Sequence, residues 1–160
     1  MPTIMFTSDW HFGITGQRQI DPLIDALSTA KPDALVIAGD NGTTLARSRQ
    51  ILALARAKLE CPIGLIAGNH DVWDESGVAD ASRHLFEAEW PALARDLNLV
   101  WLETEVLRLG GLAITGTIGW YDYSRRPPGG HPLLKNWNPV QLAAVKANYN
   151  NDGHYVRWHY

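Results

Sequence analysis

The chain has 160 residues, of which 46% are hydrophobic and 19% charged, so it is long enough for one buried core and too apolar for a disordered chain. Its formal net charge is −3 and its Lys and Arg residues are scattered, which argues against a nucleic-acid binder with a basic face. The single cysteine, Cys61, excludes an intramolecular disulfide and favours a buried thiol. No apolar run approaches the ~18 residues of a membrane span, and the N-terminus lacks the basic region of a signal peptide. We therefore expect a cytoplasmic protein without a membrane segment.

The first hundred residues predict alternating strands and helices. Strands are predicted from short apolar runs over residues 4–7, 34–38 and 63–67. Helices are predicted from apolar spacing and stop signals over residues 20–30, 44–59 and roughly 81–97, the last bent or broken near Pro91. The run over 34–38 is apolar throughout, which is typical of a strand buried on both faces. This order predicts an α/β fold with a βαβαβ parallel core.

Shorter elements are predicted after this core. They comprise strands over 99–102, 106–109 and 112–115, a long loop over 117–132, and a helix from Asn138-Pro139 to about residue 148. Gly110-Gly111 favours a hairpin between the last two strands. The sequence contains no repeat, linker or low-complexity tract, so we expect one domain, 1–160, with a helical cap segment near its end.

Three polar clusters follow the three predicted strands of the core. The clusters are Ser8-Asp9-Trp10-His11, Gly39-Asp40-Asn41-Gly42 and Gly68-Asn69-His70-Asp71. Asp40 lies 31 positions after Asp9 and 29 positions before Asn69, close to the length of one βαβ unit. If the strands are parallel, all three clusters lie at one carboxyl edge, where open α/β sheets bind ligands. The glycines before Asp40 and Asn69 would let the backbone turn tightly and bring these side chains together.

The clusters combine carboxylate, imidazole and amide groups without a thiolate. This excludes a cysteine-based structural zinc site and suits Mn²⁺, Fe, Zn²⁺ or Mg²⁺. A central carboxylate can bridge two divalent metal ions, which together polarise a phosphoryl group and lower the pKa of a water. His70 beside Asp71 is a candidate proton donor, since a neighbouring carboxylate favours the imidazolium.

The motifs D-x-H, G-D and G-N-H-D, each after a strand, resemble the calcineurin-like metallophosphoesterase superfamily. The resemblance implies an αββα sandwich and hydrolysis of phosphomonoesters or phosphodiesters by metal-activated hydroxide. It implies that Asp9 and His11 bind one metal, Asp40 bridges both, and Asn69 binds the second. It further implies that His70 contacts phosphate or protonates the leaving group, with Asp71 supporting it. The expected partner is a phosphorylated small molecule or other phosphoester, and the oligomeric state stays open.

The chain departs from the family pattern in its last third. The family completes its metal sites with a lone histidine and a G-H-x-H motif, and neither is present. The remaining histidines are His84, His131, His154 and His159. We therefore expect a C-terminally truncated domain with an incomplete fold and weak or no activity. The alternative is a non-catalytic scaffold serving as a protein-interaction module. A phospho-aspartyl enzyme using Asp9 is disfavoured, because His11 stands where a second aspartate is preferred.

Aromatic and arginine side chains near the proposed site allow two interpretations. The aromatic residues are Trp10, Trp73, Trp120, Tyr121 and Tyr123. They would form either a wall around the organic group of a substrate or, as we favour, ordinary packing of loops over the sheet edge. Arg125-Arg126 could bind a phosphate, although a solvated pair is favoured.

Overall fold

The computed structural model describes residues 1–119 and 155–156. The predicted helix over 138–148, most of the predicted loop over 117–132 and several singled-out side chains lie outside the described residues. These side chains are Trp120, Tyr121, Tyr123, Arg125, Arg126, His131, His154 and His159. Within the described residues, every helix is too short or too polar to cross a bilayer.

Four parallel strands form the central sheet in the order in which they occur along the chain. They are β1 (Ile4–Thr7), β2 (Ala34–Ala38), β3 (Ile63–Ile66) and β4 (Val100–Trp101). Thr7 pairs with Ile37, and Ile37 pairs with Leu65, so the first three strands end at nearly the same level. The predicted parallel core is confirmed, and β4 is shorter than the predicted strand over 99–102.

Two helices connect the first three strands. Helix α1 (Gln17–Ala30) begins three residues before its predicted start, because the side chain of Gln19 accepts a hydrogen bond from the Gly16 amide at 3.0 Å. Helix α2 (Leu45–Lys58) begins after Thr44, whose hydroxyl accepts from the Arg47 amide at 3.2 Å. Both helices are closed at their N-termini by a side-chain oxygen, which satisfies an amide with no partner inside the helix.

The third predicted helix consists of three successive segments. They are α3 (Ala81–His84), a π-helical turn (Leu85–Glu89) and α4 (Trp90–Asp96). Pro91 lies two residues after the end of the wide turn, so the helix is irregular near this proline as predicted from its missing amide and its clash with the preceding turn. His84 is 68% exposed and its Nε2 lies 3.1 Å from the Glu89 carboxylate, so it is a surface side chain as expected.

The sheet is covered on both faces. Leu35 and Ile37 of β2 face a core shared with the helices, whereas Ala34 and Val36 face a second apolar cluster. The second cluster includes Leu107 of the hairpin β5 (Leu107–Leu109) and β6 (Leu112–Ile114). The continuous apolar run in β2 therefore predicted correctly that this strand is buried on both sides. This doubly packed sheet fixes the positions from which the loops at the carboxyl ends of the strands begin.

Candidate metal centre

The loops that follow β1 and β2 are joined by main-chain hydrogen bonds. The amides of Asp9 and His11 donate to the carbonyls of Gly39 and Asp40 at 3.1 and 2.8 Å. The Phe12 amide continues the ladder by donating to the Asn41 carbonyl at 3.0 Å. The two loops thus extend the parallel pairing of β1 and β2 beyond the strands and place Asp9, His11 and Asp40 side by side.

The loops that follow β2 and β3 pack against each other through glycine. A Cβ atom on Gly39 would lie 2.3 Å from the Gly68 nitrogen, and one on Gly68 would lie 2.2 Å from Asp40 Oδ1. Gly39 also has a φ of +87°, which favours glycine. These approaches agree with the prediction that glycines before Asp40 and Asn69 bring the side chains together.

Ligand-type atoms converge at this edge of the sheet. His11 Nε2 lies 3.8 Å from Asp9 Oδ1 and 3.7 Å from Asp40 Oδ2. Ligand atoms of His11, Asp40 and His70 all lie within 4.8 Å of one another. These separations are longer than hydrogen bonds and suit groups arranged around one cation. Imidazole with carboxylate is a donor set for divalent transition metals, so the residues fit such an ion.

Three of the predicted metal ligands have left-handed backbone conformations. The φ angles of Asp9, His11 and Asp40 are +58°, +42° and +54°. Such angles are uncommon outside glycine, although Asp, Asn and His adopt them more readily than other residues. Strained main chain tends to be retained where it positions a functional group. Here the unusual backbone directs these side chains toward the carboxyl edge.

The third loop contributes Asn69, His70 and Asp71. Asn69 precedes a short 3₁₀ helix (His70–Val72), and its carbonyl accepts from the Val72 amide at 3.3 Å. The His70 amide donates to Asp40 Oδ1 at 3.0 Å, which fixes one oxygen of that carboxylate while the other faces His11. The five predicted residues Asp9, His11, Asp40, Asn69 and His70 therefore belong to adjoining loops at one edge.

Asp71 lies beneath these loops and is 6% exposed. Its carboxylate accepts four hydrogen bonds from residues of the β2 and β3 loops. Burial raises the pKa of Asp71 to about 7, the nearby Asp40 charge adds to this rise, and hydrogen bonds from Gly68, Asn41 and Asp40 oppose it. The sequence predicted Asp71 as a support for His70, and these four bonds tie it to the loops themselves.

An aromatic stack borders the site. The His70 ring stacks on Trp73 with centroids 3.7 Å apart, and Trp73 stacks on Tyr155 at 4.7 Å. The Asp74 amide donates to the Tyr155 carbonyl at 2.8 Å, which fixes this distant segment against the loop. Trp10, in contrast, is buried in the core and donates through Nε1 to Thr7. No sequence signal pointed to Tyr155, because its role depends on a long-range contact.

Comparisons with known proteins bear on this arrangement. The sequence matches the family profile described as calcineurin-like phosphoesterase over residues 2–159. The fold is similar to the crystal structure of phosphopantetheinyl hydrolase from Mycobacterium tuberculosis, with a TM-score of 0.64 and 22% identity. That similarity covers 97% of this chain and 55% of the other, so the chain spans about half the length of that protein. No curated protein sequence gives a significant match. At this identity, the structural similarity is evidence for the fold.

Proposed function

The chain belongs to the calcineurin-like phosphoesterase family, and from this premise we propose that its site hydrolyses a phosphomonoester or phosphodiester with two bound divalent cations. The observation that carries the proposal is the convergence of His11, Asp40 and His70 within 4.8 Å at the carboxyl ends of parallel strands. All three residues are among those that the family motifs single out, which also include Asp9, Asn69 and Asp71. A small phosphorylated molecule is the proposed substrate.

The proposed roles follow from the position of each side chain. Asp9, His11 and Asp40 would hold one cation, and Asp40 and Asn69 would hold a second. When bound, such cations lower the pKa of a water and withdraw charge from the phosphoryl group. Mn²⁺, Fe and Zn²⁺ suit these ligands, and Mg²⁺ is also compatible.

His70 would act on the leaving group. Its ring stacks on Trp73 and lies edge-on to His11, with centroids 4.7 Å apart, so the imidazole has a fixed orientation at the edge of the site. From there the ring can donate a hydrogen bond to a phosphate oxygen and pass its proton to the departing oxygen. The Asp40 carboxylate accepts a hydrogen bond from the His70 amide, which holds the His70 loop next to the proposed metal ligands.

Hydrolysis of nitrophenyl phosphate and bis-nitrophenyl phosphate, with and without added Mn²⁺, tests the proposal. We expect weak, Mn²⁺-dependent release of nitrophenol by this chain, because the family's lone histidine and G-H-x-H motif are not in it, and a further loss of about 10²–10⁴-fold in kcat for His70→Ala. His84→Ala is the matched control, because His84 is an exposed helix residue, and it should retain the wild-type rate. An unchanged rate in His70→Ala would contradict the proposed role of this ring.

Mn²⁺ binding measured by equilibrium dialysis separates two roles for His70. If the ring acts on the leaving group, His70→Ala retains Mn²⁺ affinity and loses rate. If His70 is itself a ligand beside His11 and Asp40, the affinity falls together with the rate. Mn²⁺ binding without hydrolysis of either ester would favour the alternative, a non-catalytic scaffold.

A further inference from the structure

Asp71 accepts hydrogen bonds from two loops of the candidate metal centre. Its Oδ2 accepts from the amides of Asp40 and Gly68 at 2.7 and 2.9 Å and from Asn41 Nδ2 at 3.0 Å. Its Oδ1 accepts from the Asn41 amide at 3.0 Å. One buried carboxylate therefore satisfies three main-chain amides that the two loops leave without strand partners.

The position of these amides links Asp71 to the bridging carboxylate. Asp40 has a left-handed φ of +54°, and the amides on both sides of its Cα, those of Asp40 and Asn41, donate to Asp71. The Asp40 carboxylate in turn accepts from the His70 amide at 3.0 Å. The conformation that directs Asp40 toward His11 is thus fixed on its main-chain side by Asp71.

We propose that Asp71 is a positioning residue, which sets the metal affinity of the site by clamping the main chain of Asp40 against the Gly68 loop. This inference rests on the proposed function, since it assumes that Asp40 binds the cation. It differs from the role suggested by sequence, in which the Asp71 carboxylate supports His70 and favours its imidazolium form. Groups that orient a metal ligand contribute about 10–100-fold to metal affinity in other proteins.

The hydrogen-bond geometry predicts a graded response to substitution. Asp71→Ala removes all four acceptor contacts, and we expect Mn²⁺ affinity to fall by about 10–100-fold. In Asp71→Asn, the side-chain oxygen can take the place of Oδ2 and keep its three hydrogen bonds. The new Nδ2 group is a donor and would face the Asn41 amide, also a donor, so only that hydrogen bond would be lost. Asp71→Asn should therefore bind Mn²⁺ more weakly than wild type and more tightly than Asp71→Ala. If the negative charge were the important property, the two variants would be equally impaired.

Mn²⁺ titration at pH 8 with the 160-residue chain measures these affinities. Trp90→Phe is the matched control, because it removes the hydrogen bond from Trp90 Nε1 to the Asp71 carbonyl, at 2.8 Å, and leaves the carboxylate in place. We expect this control to lose stability and to keep Mn²⁺ affinity within about twofold. An equal loss of affinity in Trp90→Phe would show general loosening of the loop and overturn the proposal.

Amide hydrogen exchange by NMR tests the clamp without metal. Asp71→Ala should remove protection at Asp40, Asn41 and Gly68, and Asp71→Asn should affect Asn41 most. The Leu35 amide, which donates to the Pro62 carbonyl at 3.0 Å within the sheet, should stay protected in both variants. Unchanged exchange at these three loop amides would refute the proposal that Asp71 holds the Asp40 main chain against the Gly68 loop.

The two hypotheses fail in different ways. A wild-type chain that binds no Mn²⁺ would refute the proposed metal centre and, with it, the effect of Asp71 on affinity. Wild-type binding that Asp71→Ala leaves unaltered would refute only the inference about Asp71. If Asp71→Ala does not fold, the difference between Asp71→Asn and wild type still decides the question.

Discussion

A methyl group added to Gly68 would test how closely the two loops must approach. The new Cβ would lie 2.2 Å from Asp40 Oδ1, 2.7 Å from the Asp40 nitrogen and 2.8 Å from Asp40 Cγ, whereas ordinary contact begins at 3.4 Å. The loops would have to separate by roughly 1 Å, and because two of these three atoms belong to the Asp40 carboxylate, the proposed bridging ligand would itself move. Overpacking of this kind costs about 1–3 kcal/mol.

For a chain of this size, a loss of about 2 kcal/mol lowers the melting temperature by roughly 4–8 °C. We expect Gly68→Ala to show that shift in thermal unfolding followed by circular dichroism, together with a loss of at least about tenfold in Mn²⁺ affinity, equivalent to about 1.4 kcal/mol. Gly111→Ala is the control, since a Cβ there meets nothing within 4 Å. If Gly68→Ala melts and binds Mn²⁺ like Gly111→Ala, the close approach of the loops has no bearing on the site.

Three further expectations concern single groups. Thr44→Ala removes the side-chain cap of α2 and should cost about 1 kcal/mol of unfolding free energy in urea titrations, whereas Thr44→Ser should retain it. Burial raises the pKa of the Cys61 thiol, so iodoacetamide should label the folded chain more slowly than the urea-unfolded chain at pH 7.5; equal rates would contradict this. Because the pKa of Asp71 rises from 3.8 to about 7 on folding, the metal-free folded chain binds this proton more tightly than the unfolded chain. Proton binding by Asp71 therefore contributes to the free energy of unfolding below about pH 4, and this contribution is lost as the pH rises through 7. In urea titrations of the metal-free chain at several pH values, Asp71→Asn should show a smaller fall in unfolding free energy between pH 4 and pH 8 than wild type.

The sequence was most informative where local chemistry and global topology agree. The apolar run of β2 and the spacing of the polar clusters both favoured parallel strands with loops at one edge. Those strands and their order are confirmed, and the fold class follows from them. The grouping of His11, Asp40 and His70 could be predicted because parallel strands place their carboxyl ends together.

Element boundaries were less predictable, because they depend on single side chains. The side chain of Gln19 closes the first turn of α1 and moves the helix start before the apolar pattern begins. A π-helical turn precedes Pro91. The spacing of apolar residues does not distinguish such a turn from regular α-helix, so the sequence could predict a bend near the proline but not its form. Strand β4 is short because only Val100 and Trp101 pair with β3.

The detailed relation of Asp71 to its neighbours could not be read from residue order. Asp71 follows His70 directly, so sequence suggested that the two side chains act as a pair. In the fold, the 3₁₀ turn that begins at His70 places the Asp71 carboxylate beneath the loops, where it meets amides 30 residues away. Long-range contacts of this kind arise only when the three loops are assembled.

The stack of His70, Trp73 and Tyr155 connects the candidate site to a segment far along the chain. Linkage requires any such coupling to be reciprocal. If docking of Tyr155 against Trp73 restricts the His70 ring, a phosphate that fixes the ring must favour docking of Tyr155 by the same factor. In that case, phosphate binding at the site would change the environment of Tyr155, 85 positions after His70, and could be followed at that tyrosine.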